Sequence, residues 1–213
     1  MAPNPKILVY CRRSPIVRWM IALTALMPVA AAVAKPIDPR NPPQGRFLDE
    51  WLEVYMAGGK VGYAHSTLTR NGDTVRTRME MHIKLVRAAQ EIEIQTVEST
   101  GETLDGRPLT FASETHFSTI KTAMRGVVKD GRVSITTSQL GMEQTQTFDF
   151  PQGALMNWGN QRATWLHGFN KPTRYSLRIY QPSLRLDDAL EATTTVGAWQ
   201  DLTLNGRTHR ACR

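Results

Sequence analysis

From Glu50 to about Phe150 the apolar positions recur every second residue. Leu52, Val54 and Met56 alternate with Trp51, Glu53 and Tyr55. Val75, Met79, Met81, Ile83 and Leu85 share one side, interrupted by Thr77; Arg76, Arg78, Glu80, His82 and Lys84 take the other. Ile92 and Ile94 alternate with Glu91, Glu93 and Gln95, while Phe111 and Phe117 share a parity that Glu114 and His116 oppose. A period of two means strands with one face on a core and one in water. The separators are turn formers: Gly58-Gly59, Asn71-Gly72, Asp105-Gly106, Asp130-Gly131 and Leu140-Gly141. Asn-Gly and Asp-Gly between alternating runs signal hairpins, so about seven or eight antiparallel strands follow as a meander.

The period changes at "FPQGALMNWGNQRATWLHGF", Phe150 to Phe169. Leu155, Trp158, Gln161, Arg162, Trp165 and Leu166 recur at three and four, which predicts one amphipathic helix or two short turns, with Gly168 as the stop. Strand sequence resumes in "RYSLRIYQ", Arg174 to Gln181, and "LEATTTVG", Leu190 to Gly197. The predicted fold is mainly β: a long curved antiparallel meander, half-barrel or open barrel, with one helical segment packed on its concave face. "KPIDPRNPPQGR", Lys35 to Arg46, holds four prolines and reads as a linker or extended arm.

Residues 1–34 read differently. Lys6, Arg12, Arg13 and Arg18 precede the uncharged "WMIALTALMPVAAAVA", Trp19 to Ala34, which ends in the A-x-A pattern Ala32-Val33-Ala34. That is the grammar of a cleaved secretory signal peptide, and it predicts a periplasmic or secreted bacterial protein. The rival is a retained anchor; sixteen residues at about 1.5 Å each reach roughly 24 Å, short of a hydrocarbon core of about 30 Å. Arg12-Arg13 is a twin arginine, but Ser14-Pro15 follows it instead of large apolar residues. Cys11 lies before the apolar stretch, where a lipid-anchored cysteine would lie after it.

Removing this segment changes the charge. The full chain carries +7; 26 basic residues less four leave 22 against 19 acidic, a net charge of +3. That excess is small and scattered, so nucleic acid is not an expected partner. The remaining 213 less 34, or 179 residues, suffice for one domain with its own core, over about 48–205, followed by a disordered basic tail at 206–213. Cys212 is then the one cysteine left, so no internal disulfide or cysteine zinc site is available.

The chemistry-bearing motifs fail one by one. Gly59-Lys60 looks like the end of a phosphate loop. However, Val54 stands where the first glycine belongs, Val61 where the hydroxyl residue belongs, and no helix follows. The stretch reads as a hairpin turn, with Lys60 a solvated edge residue and Gly62 marking a bulge or a close backbone approach. His65, His82, His116, His167 and His209 show no metal-ligand spacing, and no G-x-S-x-G is present. Glu91 and Glu93 share a strand face, the pattern of a solvated surface more than of paired catalytic acids. Cys212, near the chain end, lacks the fixed base a nucleophile needs. Neither catalytic residues nor a cofactor is expected.

What stands out is apolar. Met79, Met81, Ile83, Phe111, Leu155, Trp158 and Trp165 are the candidates for facing an apolar ligand, a lipid or acyl chain, between sheet and helix. The same residues also describe an ordinary core.

"GKVGYAH" from Gly59, "GETLDGRPLTF" from Gly101 and "GVVKDGRV" from Gly126 carry a resemblance. They resemble a β-rich module of exported bacterial proteins, at times found ahead of a transglutaminase-like domain. It is similar in shape to the half-barrel of periplasmic lipoprotein carriers. The likeness covers about Trp51 to Gly197 and rests on turn and strand motifs. It implies a curved sheet, an envelope location, and binding of a lipid or a protein partner. No Cys-His-Asp set follows, so the resemblance implies at most an accessory domain or remnant of such an enzyme. A structural envelope protein pairing through a sheet edge is a further alternative. "LTLNGRTHRACR" begins a hairpin whose return strand is basic instead of apolar, which reads as an altered or truncated end.

Overall fold

The computed structural model describes Val9–Arg12 and residues 37–212, apart from 57, 88–89, 170–172 and 205–206. Its body is one antiparallel meander of eight strands that does not close into a barrel: β2 (Gly45–Met56), β3 (Gly59–Asn71), β4 (Thr74–Arg87), β5 (Gln90–Thr103), β6 (Pro108–Phe117), β7 (Ile120–Lys129), β8 (Arg132–Gln139) and β9 (Met142–Asp149). A short β1 (Val9–Arg12) pairs with β2, Val9 opposite Val54. It is the only part of the predicted signal segment within the described residues; the apolar stretch Trp19 to Ala34 lies outside them.

The turns follow local chemistry. Asp130 and Gly131 have φ of 51° and 72°, and Leu140 and Gly141 have 52° and 79°. Positive φ at both central residues is the tight turn whose twist matches the strands. Asn71 pairs with Thr74, so the predicted Asn71-Gly72 turn is centred one residue later, on Gly72-Asp73. Two turns have no glycine signal. Ser118, at φ 52°, and Thr119 join β6 to β7; the β4–β5 connection lies at the undescribed 88–89.

Gly62 fulfils both expectations for it. The β2–β3 register shifts between Val54 and Tyr55, and a Cβ on Gly62 would stand 1.8 Å from the His82 carbonyl oxygen. Residues 37–44 form an arm docked on the β3–β4 end, where Arg70 Nη1 donates to Asn41 Oδ1 and the Pro42 carbonyl, both at 2.6 Å. Pro42 is fully buried.

The predicted helix is α1 (Asn157–His167), ended by Gly168 at φ 75°. After it, β10 (Thr173–Ile179) pairs with β11 (Leu190–Val196) as a separate two-stranded sheet. β12 (Trp199–Leu204) pairs with β13 (Arg207–Cys212), so the segment read as a basic tail is the return strand of a hairpin. Its pairing is carried by backbone bonds, which do not require apolar side chains.

Three clusters make the core. Phe111, Val133, Ile135, Ala154, Met156, Tyr180 and Ala189 form one; Leu68, Val75 and Trp158 a second; Val54, Ala64 and Ile83 a third. The sheet residues of all three lie on one face, and the first two clusters join that face to α1 and its flanking segments.

Candidate functional site

The helix-bearing face has two halves. The first is sealed by α1. Met156, extended at φ −102°, offers the helix start no side-chain cap. Glu102 of β5 supplies it: the Trp158 N–H donates to Oε1 at 2.7 Å and the Gly159 N–H to Oε2 at 2.8 Å. A carboxylate at a helix N-terminus satisfies otherwise orphaned donors and opposes the helix dipole. Thr100 donates to Oε1 at 2.6 Å, and its oxygen lies 2.8 Å from that of Thr77. Glu102 is 0% exposed. Burial pushes its pKa up, against the pull of the Thr100, Gly159 and Trp158 hydrogen bonds.

The neighbouring turn completes this joint. Trp158 Nε1–H donates to the Leu104 carbonyl at 3.1 Å, and Trp158 packs edge-on to Phe47 and Trp165. A Cβ on Gly106 would come within 2.8 Å of the Gly159 Cα, and one on Gly159 within 2.9 Å of the Gly106 oxygen. Two backbones therefore meet where only glycines fit. "GETLDG" and "NWG" are the two sides of one helix-docking joint.

Phe111 lies over its cross-strand partner Gly126, whose Cβ would fall 2.1 Å from the ring. Phe111 and Phe150 meet Tyr180 edge-on at 6.1 and 5.0 Å. The Tyr180 hydroxyl donates to the Leu186 carbonyl at 2.7 Å; burial, with Asp187 nearby, raises its pKa to about 12. The space between sheet and helix is thus filled. A hollow of about 20 Å³ beside Phe111, Met156 and Asn157 has room for about one water.

The seven candidate apolar residues separate accordingly. Trp158 and Trp165 belong to the helix joint and Phe111 to the Tyr180 cluster. Leu155 is held by its backbone, its N–H donating to the Arg178 carbonyl and its oxygen accepting from the Tyr180 N–H, both at 2.8 Å. Met79, Met81 and Ile83 stand on the same sheet face in the second half, beyond the helix.

That second half carries a row of apolar side chains straight across the strands. Pairing places Val54 opposite Gly62, Gly62 opposite Ile83, Ile83 opposite Ile94, Ile94 opposite Phe117 and Phe117 opposite Ile120. Val54 and Ile83 are buried and Ile94 half-buried, but Phe117 is 47% and Ile120 45% exposed. On the helix side the row is bordered by Thr96, Thr115 and Thr122, themselves paired across β5, β6 and β7.

The opposite face carries stacked rings and paired charges, with Trp51 and Tyr63 partly exposed. Trp51 stacks on His65 at 4.3 Å and Tyr63 on His82 at 4.9 Å, so these rings spend their faces on each other. His65 Nε2 lies 2.7 Å from Asp49 Oδ1, and hydrogen bonds from His65 and then Arg46 hold the Asp49 carboxyl below the usual range. Lys60, expected to be solvated, is half exposed and pairs with Glu53 at 2.9 Å. A cleft of about 280 Å³ runs over Ser99, Ala112 and Ala123 between Arg78 and Arg125. Its cations are already paired, Arg78 with Glu80 and Arg125 with Glu143.

Glu91 and Glu93 are surface residues, Glu91 pairing with Lys84 at 3.1 Å and Glu93 accepting from Gln95 at 3.0 Å. No group of three or more metal-ligating side chains occurs among the described residues. Sequence reasoning missed Glu102 as an individual residue. The available signal was parity, since Glu102 falls on the same side of its strand as Ile92 and Ile94. Comparison of the chain with family models, curated proteins and solved structures returns no match.

Proposed function

We propose that this chain is an exported, non-catalytic β-domain that holds an unbranched apolar ligand, an acyl chain of a lipid, along the uncovered half of its helix-bearing face. The observation that carries the reading is the Val54–Ile83–Ile94–Phe117–Ile120 row, whose outer end is open to solvent. From β2 to β7 the row spans about 24 Å at about 4.8 Å per strand. The row broadens to Leu52, Met81 and Leu85 over β2 to β4 and narrows over β5 to β7, where threonine hydroxyls edge its helix side; that open end suits a narrow chain better than a helix about 10 Å across. Partly exposed apolar surface of this kind gains free energy when a ligand removes it from water. The leader-like residues 1–34 support export, and turn motifs that resemble those of envelope half-barrels are in keeping with the same reading.

The test is binding of a fluorescent fatty acid to the purified protein, alongside mass spectrometry of co-purifying lipid. Saturable binding that weakens by about tenfold or more in Phe117→Asp and Ile120→Asp, with unchanged circular dichroism, is the expected result. Absence of both lipid and probe binding removes the reading.

A further inference from the structure

The outer edge of β9 is the end of the sheet, and no strand lies beyond it among the described residues. Met142 to Thr147 are all exposed, Met142 at 72% and neighbouring Leu140 at 76%. Sheet edges are ordinarily blunted by lysine, proline or a bulge. β9, "MEQTQTFD", has no lysine or proline, and its register with β8 is unbroken.

Its backbone geometry is fixed by the turn. Gln139 and Met142 close a two-residue hairpin loop, so Met142, Gln144, Gln146 and Phe148 bond to β8. Glu143, Thr145, Thr147 and Asp149 therefore aim their N–H and C=O groups outward. A partner strand must pair with those residues.

We propose that the partner is a second copy of this chain, joined antiparallel at β9 about a two-fold axis through Thr145. In that register Thr145 exchanges both backbone bonds with Thr145 of the second copy, and Glu143 does so with Thr147. All of these are outward-facing residues. On the helix-bearing face Met142 meets Phe148 and Gln144 meets Gln146, so apolar pairs with apolar and amide with amide. The other centres fit less well: centring on Gln144 sets Met142 against Gln146, and centring on Gln146 sets Glu143 against Asp149 and Phe148 against Gln144. Centring on Glu143 places two carboxylates face to face. Centring on Thr147 sets Glu143 against Pro151, which has no N–H, and Phe148 against glutamine. The Thr145 register leaves the Arg125–Glu143 contact on the opposite face in place. It joins the two sheets into one, and it is independent of the proposed ligand.

The test is sedimentation velocity of the full chain over a concentration series, with oxidative cross-linking. The chain dimerises with rising concentration, and Thr145→Lys, which sets two cations opposite, weakens association by about tenfold or more while leaving the melting temperature of the dilute monomer unchanged. Thr145→Cys gives a disulfide-linked dimer above the background of Cys11 and Cys212, because hydrogen-bonded Cα pairs lie about 5.5 Å apart. Thr147→Cys does not, its two copies being more than about 10 Å apart. A strictly monomeric chain, a dimer indifferent to Thr145→Lys, or equal cross-linking by both cysteines overturns the proposal.

Discussion

The two halves of one sheet face are built from the same alternation but finished differently. Toward the β5–β6 turn, Leu68, Val75 and Glu102 are closed over by Trp158, with hydrogen bonds and a glycine–glycine contact fixing the helix at one position. Farther along the same strands, Met79, Phe117 and Ile120 remain open. An apolar face alone does not specify its cover. The covered half is distinguished by polar groups that only one partner satisfies: a buried carboxylate, two helix N–H groups and an indole N–H.

The largest break in this contrast comes from Trp158→Ala. It empties a fully buried site and removes the bond to Leu104, and urea denaturation should show a loss of about 3–5 kcal/mol. Next comes Glu102. Glu102→Ala strands two backbone donors and the Thr100 hydroxyl, and costs about 1–3 kcal/mol by the same assay. The acid also leaves a pH signature. Its folded pKa is raised, so the folded state holds the proton more tightly than the unfolded chain. Stability from this group is complete below the ordinary glutamate range and is lost as pH rises through the raised value. Glu102→Gln should flatten that part of the stability–pH curve; an unchanged slope would show that Glu102 does not contribute it. The smallest effect belongs to the open half, where Phe117→Ser should change stability by less than about 1 kcal/mol. A loss there as large as that of Trp158→Ala would erase the distinction between the halves.

Much of the fold was legible because strands and tight turns are written locally. The period of two placed β4 and β5, and Asp130-Gly131 marked its hairpin. Ser118-Thr119 went unmarked because a serine adopts the positive φ there without a glycine to announce it. The candidate site was less legible. Parity grouped Met79, Met81 and Ile83 within β4 and Phe111 with Phe117 within β6, but it does not say that the two sets share a face, which the strand register decides, or how far along the strands a helix will reach. Glu102 was obscured by its charge, since carboxylates are expected in water, and its partners lie 56 and 57 residues away.

That separation has a consequence for the order of folding. Each hairpin of the meander closes over a short stretch of chain and can form from its neighbours alone. The joint between Glu102 and the start of α1 spans 56 residues, at a larger loop-closure cost than any hairpin turn. Helix docking is then the step expected to follow the hairpins and to tie them into one cooperative domain. Substitutions at Gly106 or Gly159 should speed unfolding far more than they slow the first steps of folding.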